Sequence, residues 1–439
     1  MASNNDKKAF ESHCRRCWIS CWASTCGVHP LGGGSLTWMA TLSAIVAVLL
    51  VAPAAWAAPK FKVIHAFGNT HDGAGTWGSL LLDKKGDLYG TTTGGGFFGW
   101  GTAFRLSPRS NGEWTETILH SFDRNGYDGY ESTANLTFDA QGNLYGTTAY
   151  GGTYDAGTVF ELVRGAGEWT EKILYSFGTL RNDGFEPYAG VVVSPTGSLF
   201  GTTPHDPGNV FELTPGSDGW SESVLDDFSR QRHDGNGPFA GVILDPDGNL
   251  YGTTEYGGVH NAGVVYELMP KAGGEWKERV LYDFCPAGPP NCRDGATPGV
   301  GVPAMDRSGN VYATTAGGGC CGGTIFKLVP HADGQWEHDV LYEFKGGNRG
   351  FGPGAGVVRD KAGNLYGTTI YGGKYGNGVV YELSPEKNGK WKYTVLHTFI
   401  YSDGAQPDAN LILDDKGNLY GTAATGGEYG DGVAFELTP

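Results

Sequence analysis

The chain has 439 residues, of which 74 are Gly and only 18% are charged, a balance that suits short strands and tight turns and excludes long solvated helices as the main element. Its formal net charge is -16, and the first 57 residues hold four basic and two acidic groups, so the remainder is more acidic still. A body of that charge repels phosphate backbones and excludes nucleic acid as a general partner.

In chain order, the first element is a targeting segment. Basic residues precede an apolar run from Ala40 to Val51, followed by Ala55, Trp56 and Ala57, the small-residue pattern that signal peptidase cuts. Residues 1–57 are therefore expected to be a leader, residues 58–439 the mature domain, and the destination secreted or periplasmic, with no stable membrane anchor once the signal is cleaved. The apolar run is short for a span. Cys14, Cys17, Cys21 and Cys26 lie in that leader, which leaves Cys285, Cys292, Cys320 and Cys321, an even number that suits disulfides in an oxidising compartment.

A repeat follows and fills the chain. The phrase GNLYGTT recurs with its aromatic at Tyr89, Tyr145, Phe200, Tyr251, Tyr312, Tyr366 and Tyr420. One copy, from Gly241 to Phe284, contains four β-branched and aromatic stretches, GVILD, NLYGTT, GVVYELM and KERVLYDF, each bounded by Gly, Pro or Asp clusters. That is one four-stranded blade. The turn Asp245-Pro-Asp-Gly-Asn249 has a counterpart in every copy, with Gly for the tight hairpin and Asp to accept hydrogen bonds from the turn.

The fourth stretch ends at Phe122, Phe177, Phe228, Phe284, Phe344 and Phe399, each with a Trp eight residues earlier. The seventh such stretch stands ahead of the first copy, as Val63 to Phe67, while the last copy stops at its third stretch, Val433 to Leu437. The N-terminal strand is therefore expected to complete the last blade. The fold class is all-β: a seven-bladed β-propeller of four-stranded blades.

The phrases GNLYGTTxxGG, GxVFEL and W-x-E-x-[VI]-L-Y-x-F between Asn143 and Phe177 resemble the GloVer tandem repeat family of secreted bacterial proteins. The resemblance covers residues 61–439. It implies an exported repeat protein and brings no catalytic residue to carry over.

Alternating strands place the loop between strands two and three at the same end of the ring as the loop into the next blade, and function is expected on that variable face. The interblade loops carry Asp72, Asp128, Asp183, Asp234, Asp294 and Asp403, with Arg349 in the corresponding place of the sixth copy. A repeated Asp most often caps a loop, whereas Arg349 breaks the rule and is a candidate ligand contact. Unrepeated aromatics, Trp77, Phe97, Phe98 and Trp100, suit stacking on a sugar face. His233 and His260, with His205, are the unrepeated polar groups, but they are scattered, so neither a metal nor a cofactor is expected.

Four cysteines allow three pairings. Six intervening residues rich in Pro and Gly favour Cys285 with Cys292, leaving Cys320 and Cys321 as a vicinal pair. The leading expectation is a monomeric, non-catalytic binding or scaffold propeller for an extracellular glycan or protein. A polysaccharide-active enzyme, lyase or glycoside hydrolase, using the same face is the alternative.

Overall fold

The structure is a computed structural model that describes residues 58–439 apart from 69, 70, 180, 181, 206, 230–232, 300 and 321. The leader and its expected cleavage site lie outside the described residues. Seven antiparallel sheets follow one another along the chain as the blades of a β-propeller. The second blade is representative: Thr137–Phe138, Leu144–Thr148, Thr158–Arg164 and Trp169–Ser176 pair in sequence order. The last blade runs Ile412–Leu413, Leu419–Ala423, Val433–Thr438 and then Lys60–Ala66, with Lys60 opposite Thr438 and Ala66 opposite Val433. The expected closure by the N-terminal strand is thus the observed one.

Burial explains the strand sequences. The five-residue core of the second strand in each blade, LYGTT in the second and VYATT in the fifth, is buried, because the blades on either side cover both its faces. Its hydroxyls must then find partners inside the protein. Thr147 donates to the Ala189 carbonyl of the next blade at 2.9 Å, and Thr148 donates to Tyr150 O at 2.9 Å. The glycine of this strand faces the ring of the third strand: a Cβ on Gly146 would come within 2.6 Å of Phe160.

The blades are joined by aromatic contacts. Each fourth-strand Phe is fully buried against the third-strand ring of the following blade, as in Phe122 with Phe160 at 5.3 Å and Phe177 with Phe211 at 5.1 Å. The series closes on itself, with Phe399 against Phe435 at 5.5 Å and Phe67 against Phe104 at 5.0 Å. Such pairs add about 0.5–1.5 kcal/mol each beyond their area. At the opposite end of the blades Trp169 packs on Tyr89 of the preceding blade, and Trp220 on Tyr145. The turn Asp acts as a cap: Asp245 Oδ1 accepts the amides of Asp247 and Asn249, and its Oδ2 accepts from Asn249 and Tyr251.

Candidate binding face

The interblade loop and the loop between strands two and three pair directly, which places both on one face. Gly73–Ala74 pairs with Gly94–Gly95 and Gly129–Tyr130 with Tyr150–Gly151, and bridges join Asn236 to Tyr256, Phe351 to Tyr371 and Ala405 to Thr425. Three residues beyond each interblade Asp, and beyond Arg349 in the sixth copy, the backbone turns left-handed, at Gly75, Glu131, Glu186, Gly237, Thr297, Gly352 and Gln406. This residue staples the blades: Glu131 N–H donates to Trp100 O at 3.1 Å, and Glu186 N–H to Ala156 O at 2.8 Å. Glycine takes that conformation freely, so Glu at two of these positions carries a strain of about 1 kcal/mol, of the kind found at ligand-contacting sites.

The repeated Asp residues do cap their loops. Asp72 accepts the Gly73 amide at 2.7 Å, Asp234 the Ser229 and Gly235 amides at 3.0 and 2.9 Å, and Asp403 the Ile400 amide at 2.9 Å. They also belong to a larger arrangement at the seams between blades. There the Asp meets the residue two before the fourth-strand Phe and, from the following blade, the residue six before its own Phe. Three seams hold clusters of potential donors: His65, Asp72 and Glu116; His120, Asp128 and Glu171; Asp226, Asp234 and Glu278. At the Tyr175, Asp183 and Glu222 seam the tyrosine donates to Asp183 at 2.8 Å, while burial and the Asp183 charge push Glu222 up to about 7. The remaining three seams use stacked rings: Tyr282 on His338 at 4.1 Å, Tyr342 on Tyr393 at 4.2 Å and Phe61 on His397 at 3.6 Å. Arg349 is exposed beside the Tyr342 and Tyr393 stack, and its carbonyl accepts the Tyr393 hydroxyl at 2.5 Å.

Rings and carboxylates concentrate over the first three blades. The Arg124 guanidinium lies over Trp100 at 5.2 Å and Tyr130 at 5.4 Å, and Tyr130 stacks on Tyr150. Tyr130 donates to Asp155 Oδ1 at 2.7 Å. A cavity of about 410 Å³ lies between Arg124, Tyr130, Tyr154 and Asp155. Asp155 also lines a second cavity, of about 460 Å³, with Asn182, Phe185, Glu186, His205 and Asp227. Phe185 stacks on His205 at 5.3 Å, and Glu186 Oε2 lies 3.0 Å from His205 Nε2 and accepts the Tyr188 hydroxyl at 3.0 Å. Burial opposes ionisation of Glu186, but these two partners outweigh it and hold the carboxyl below its usual range.

The expected contacts are dispersed over this face. Phe97 and Phe98 are exposed, 71% and 48%, and touch each other at 4.9 Å. Trp100 parts from them and is half-buried against Tyr130. Trp77 stands exposed ahead of the first blade, His233 is exposed in its loop, and His260 lies against the Cys285 loop near Gly288. Cys285 and Cys292 form the expected disulfide. The vicinal bridge is not formed: Cys320 is an exposed free thiol that donates to the Glu343 carboxylate at 2.9 Å, and Cys321 lies outside the described residues. Missing from the sequence expectations were Arg124, Asp155 and Glu186. The one signal for the last was a Glu where three other copies carry Gly.

The Gloeobacter/Verrucomicrobia repeat matches residues 53–221 and 301–439. The chain belongs to that repeat family. No protein of curated function matches it. Among solved structures similar to this repeat-family chain is a protein assigned as a 6-phosphogluconolactonase from Bacteroides uniformis ATCC 8492, at 15% identity over 79% of this chain and 89% of that one, with a TM-score of 0.49. Another is an ancestral GH74 enzyme, at 12% identity over 83% of this chain and 48% of that one, with a TM-score of 0.52. The chain spans about half the length of the latter, and likeness at this identity shows the fold alone.

Proposed function

We propose that the protein is an exported, non-catalytic binding propeller that recognises a glycan across the loops of its first three blades. The observation that carries this reading is the pair of cavities meeting at Asp155, edged by Tyr130, Tyr154, Phe185 and His205. The exposed rings of Tyr154 and Phe185, beside fixed carboxylates and amides, match a sugar, whose C–H faces stack while its hydroxyls hydrogen-bond. Asp155 and Glu186 are each engaged by a tyrosine hydroxyl, an arrangement suited to accepting hydrogen bonds in a fixed orientation. Export is supported by the Cys285–Cys292 disulfide and the leader pattern. Among the described residues no helix is long and apolar enough to cross a membrane.

A glycan array probed with the purified protein tests the reading. Retained glycans should bind roughly tenfold more weakly to a variant combining Tyr154→Ala and Phe185→Ala, since two stacking surfaces are removed. No retained glycan, or unchanged affinity in that variant, would sink the proposal. Cleavage of a retained glycan would move the protein to the enzyme reading.

A further inference from the structure

The seam clusters do something that packing does not require. At three seams the equivalent positions hold stacked rings, with at most one carboxylate beside them, as in Asp403 on His397 at 3.1 Å and Asp294 taking the Tyr282 hydroxyl at 2.9 Å, so the scaffold closes there without a second carboxylate. At two others, an imidazole and two carboxylates from consecutive blades converge. In the first, His65 Nε2 lies 3.0 Å from Asp72 Oδ2 and 3.8 Å from Glu116 Oε1. In the second, His120 Nε2 lies 3.0 Å from Asp128 Oδ2 and 3.3 Å from Glu171 Oε2.

We propose that these two seams are binding sites for a divalent transition cation of the zinc class, each tying one blade to the next. Donor atoms around a tetrahedral ion with bonds of roughly 2.0–2.1 Å stand about 3.3 Å apart, and the observed separations bracket that spacing. One nitrogen and two carboxylates form a donor set for zinc or its neighbours, not for a hard cation that takes oxygen alone. As ligands, an imidazole with its ligating nitrogen unprotonated and two ionised carboxylates would together carry two negative charges, which a divalent ion cancels in a half-buried place. Asp128 Oδ2 also accepts the Asp123 amide at 2.9 Å, but one oxygen of each of three carboxyls has no other use. Glu116 Oε1, Asp128 Oδ1 and Glu171 Oε1 are buried and accept no hydrogen bond, although Asp128 is only 7% exposed. Buried acceptors of this kind are costly unless something fills them. The Asp226, Asp234 and Glu278 seam has no nitrogen donor and is not included.

The first site has a structural consequence. His65 belongs to the closing strand Lys60–Ala66 and Glu116 to the fourth strand of the first blade, Trp114–Ser121. A cation there fastens the closing strand to the blade that follows it.

Calorimetric titration of zinc chloride into the full chain, with its thiols alkylated to silence the cysteines, tests the proposal. Wild type is expected to bind two more zinc ions per chain than the double variant His65→Ala, His120→Ala, and each single variant one fewer than wild type. Glu116→Gln and Glu171→Gln keep the side-chain shape and should weaken their own site at least tenfold, which guards against a histidine variant that fails to fold. Zinc should also raise the melting midpoint of wild type more than that of the double variant. Equal zinc uptake by wild type and the double variant overturns the proposal, as does unchanged binding in both glutamine variants.

Discussion

Asp408 occupies a repeat position held elsewhere by Trp77, Thr133, Tyr188, Phe239, Gly299 and Gly354. Its carboxyl fills the space that Gly354 leaves open: a Cβ at 354 would come within 1.7 Å of Asp408 Oδ1. That oxygen is buried without a hydrogen bond, and burial pushes the carboxyl up to about 7. In the unfolded chain the same group loses its proton near 3.8. Unfolding therefore releases a proton between those values, and this contribution to stability is lost as pH rises from about 4 to about 7. Asp408→Asn, which cannot ionise, should match wild type near pH 4 and exceed it by roughly 1–3 kcal/mol at pH 8. Urea unfolding of both proteins at the two pH values checks this, and an identical pH slope would refute it. Nothing in the local sequence singles out Asp408, because its burial is a property of the neighbouring blade. Trp100 differs from expectation for a related reason. Its carbonyl is the acceptor for the Glu131 staple, so the residue is drawn against the blade and away from Phe97 and Phe98.

The closing strand Lys60–Ala66 is held by the ladder to Val433–Thr438, by Phe61 stacked on His397 and by Phe67 against Phe104. Its removal would bare the edge of the last blade, an open template for pairing with another chain. A variant lacking residues 58–67 should melt at a clearly lower temperature and associate, as read by calorimetry and light scattering. A monomer with an unchanged midpoint would show that closure contributes nothing. This element was legible because the repeat is regular: seven LYGTT-type strands against six Trp-to-Phe strands leave one unmatched partner, and Val63 to Phe67 fits it. The Cys285–Cys292 bridge was legible from a short flexible spacing. The seam clusters were not, since His120 and Glu171 come from different copies and meet only when one blade is laid on the next. Repeat positions with changing residues, aligned seam by seam, would have exposed them.

Around the axis of the ring, side chains reach across blades. Asn410 in the last blade accepts the Gly356 amide at 2.8 Å and donates to the Val302 carbonyl at 3.0 Å, so three blades share one side chain. Asn410→Ala strands both backbone groups and should lower stability by about 1–3 kcal/mol while leaving a single transition in denaturant, because every blade still rests on two neighbours. Separate transitions for the last three blades would contradict that. A different consequence comes from the pairing of Lys60 with Thr438. Each blade is a local meander and can form while later copies are still being made. The closing pairing spans nearly the whole chain, and contacts of such sequence separation form slowly. For that interval the molecule is an incomplete ring with two bare edges. Its most dangerous exposure to neighbours is thus a matter of timing during synthesis and delivery, before the finished protein exists.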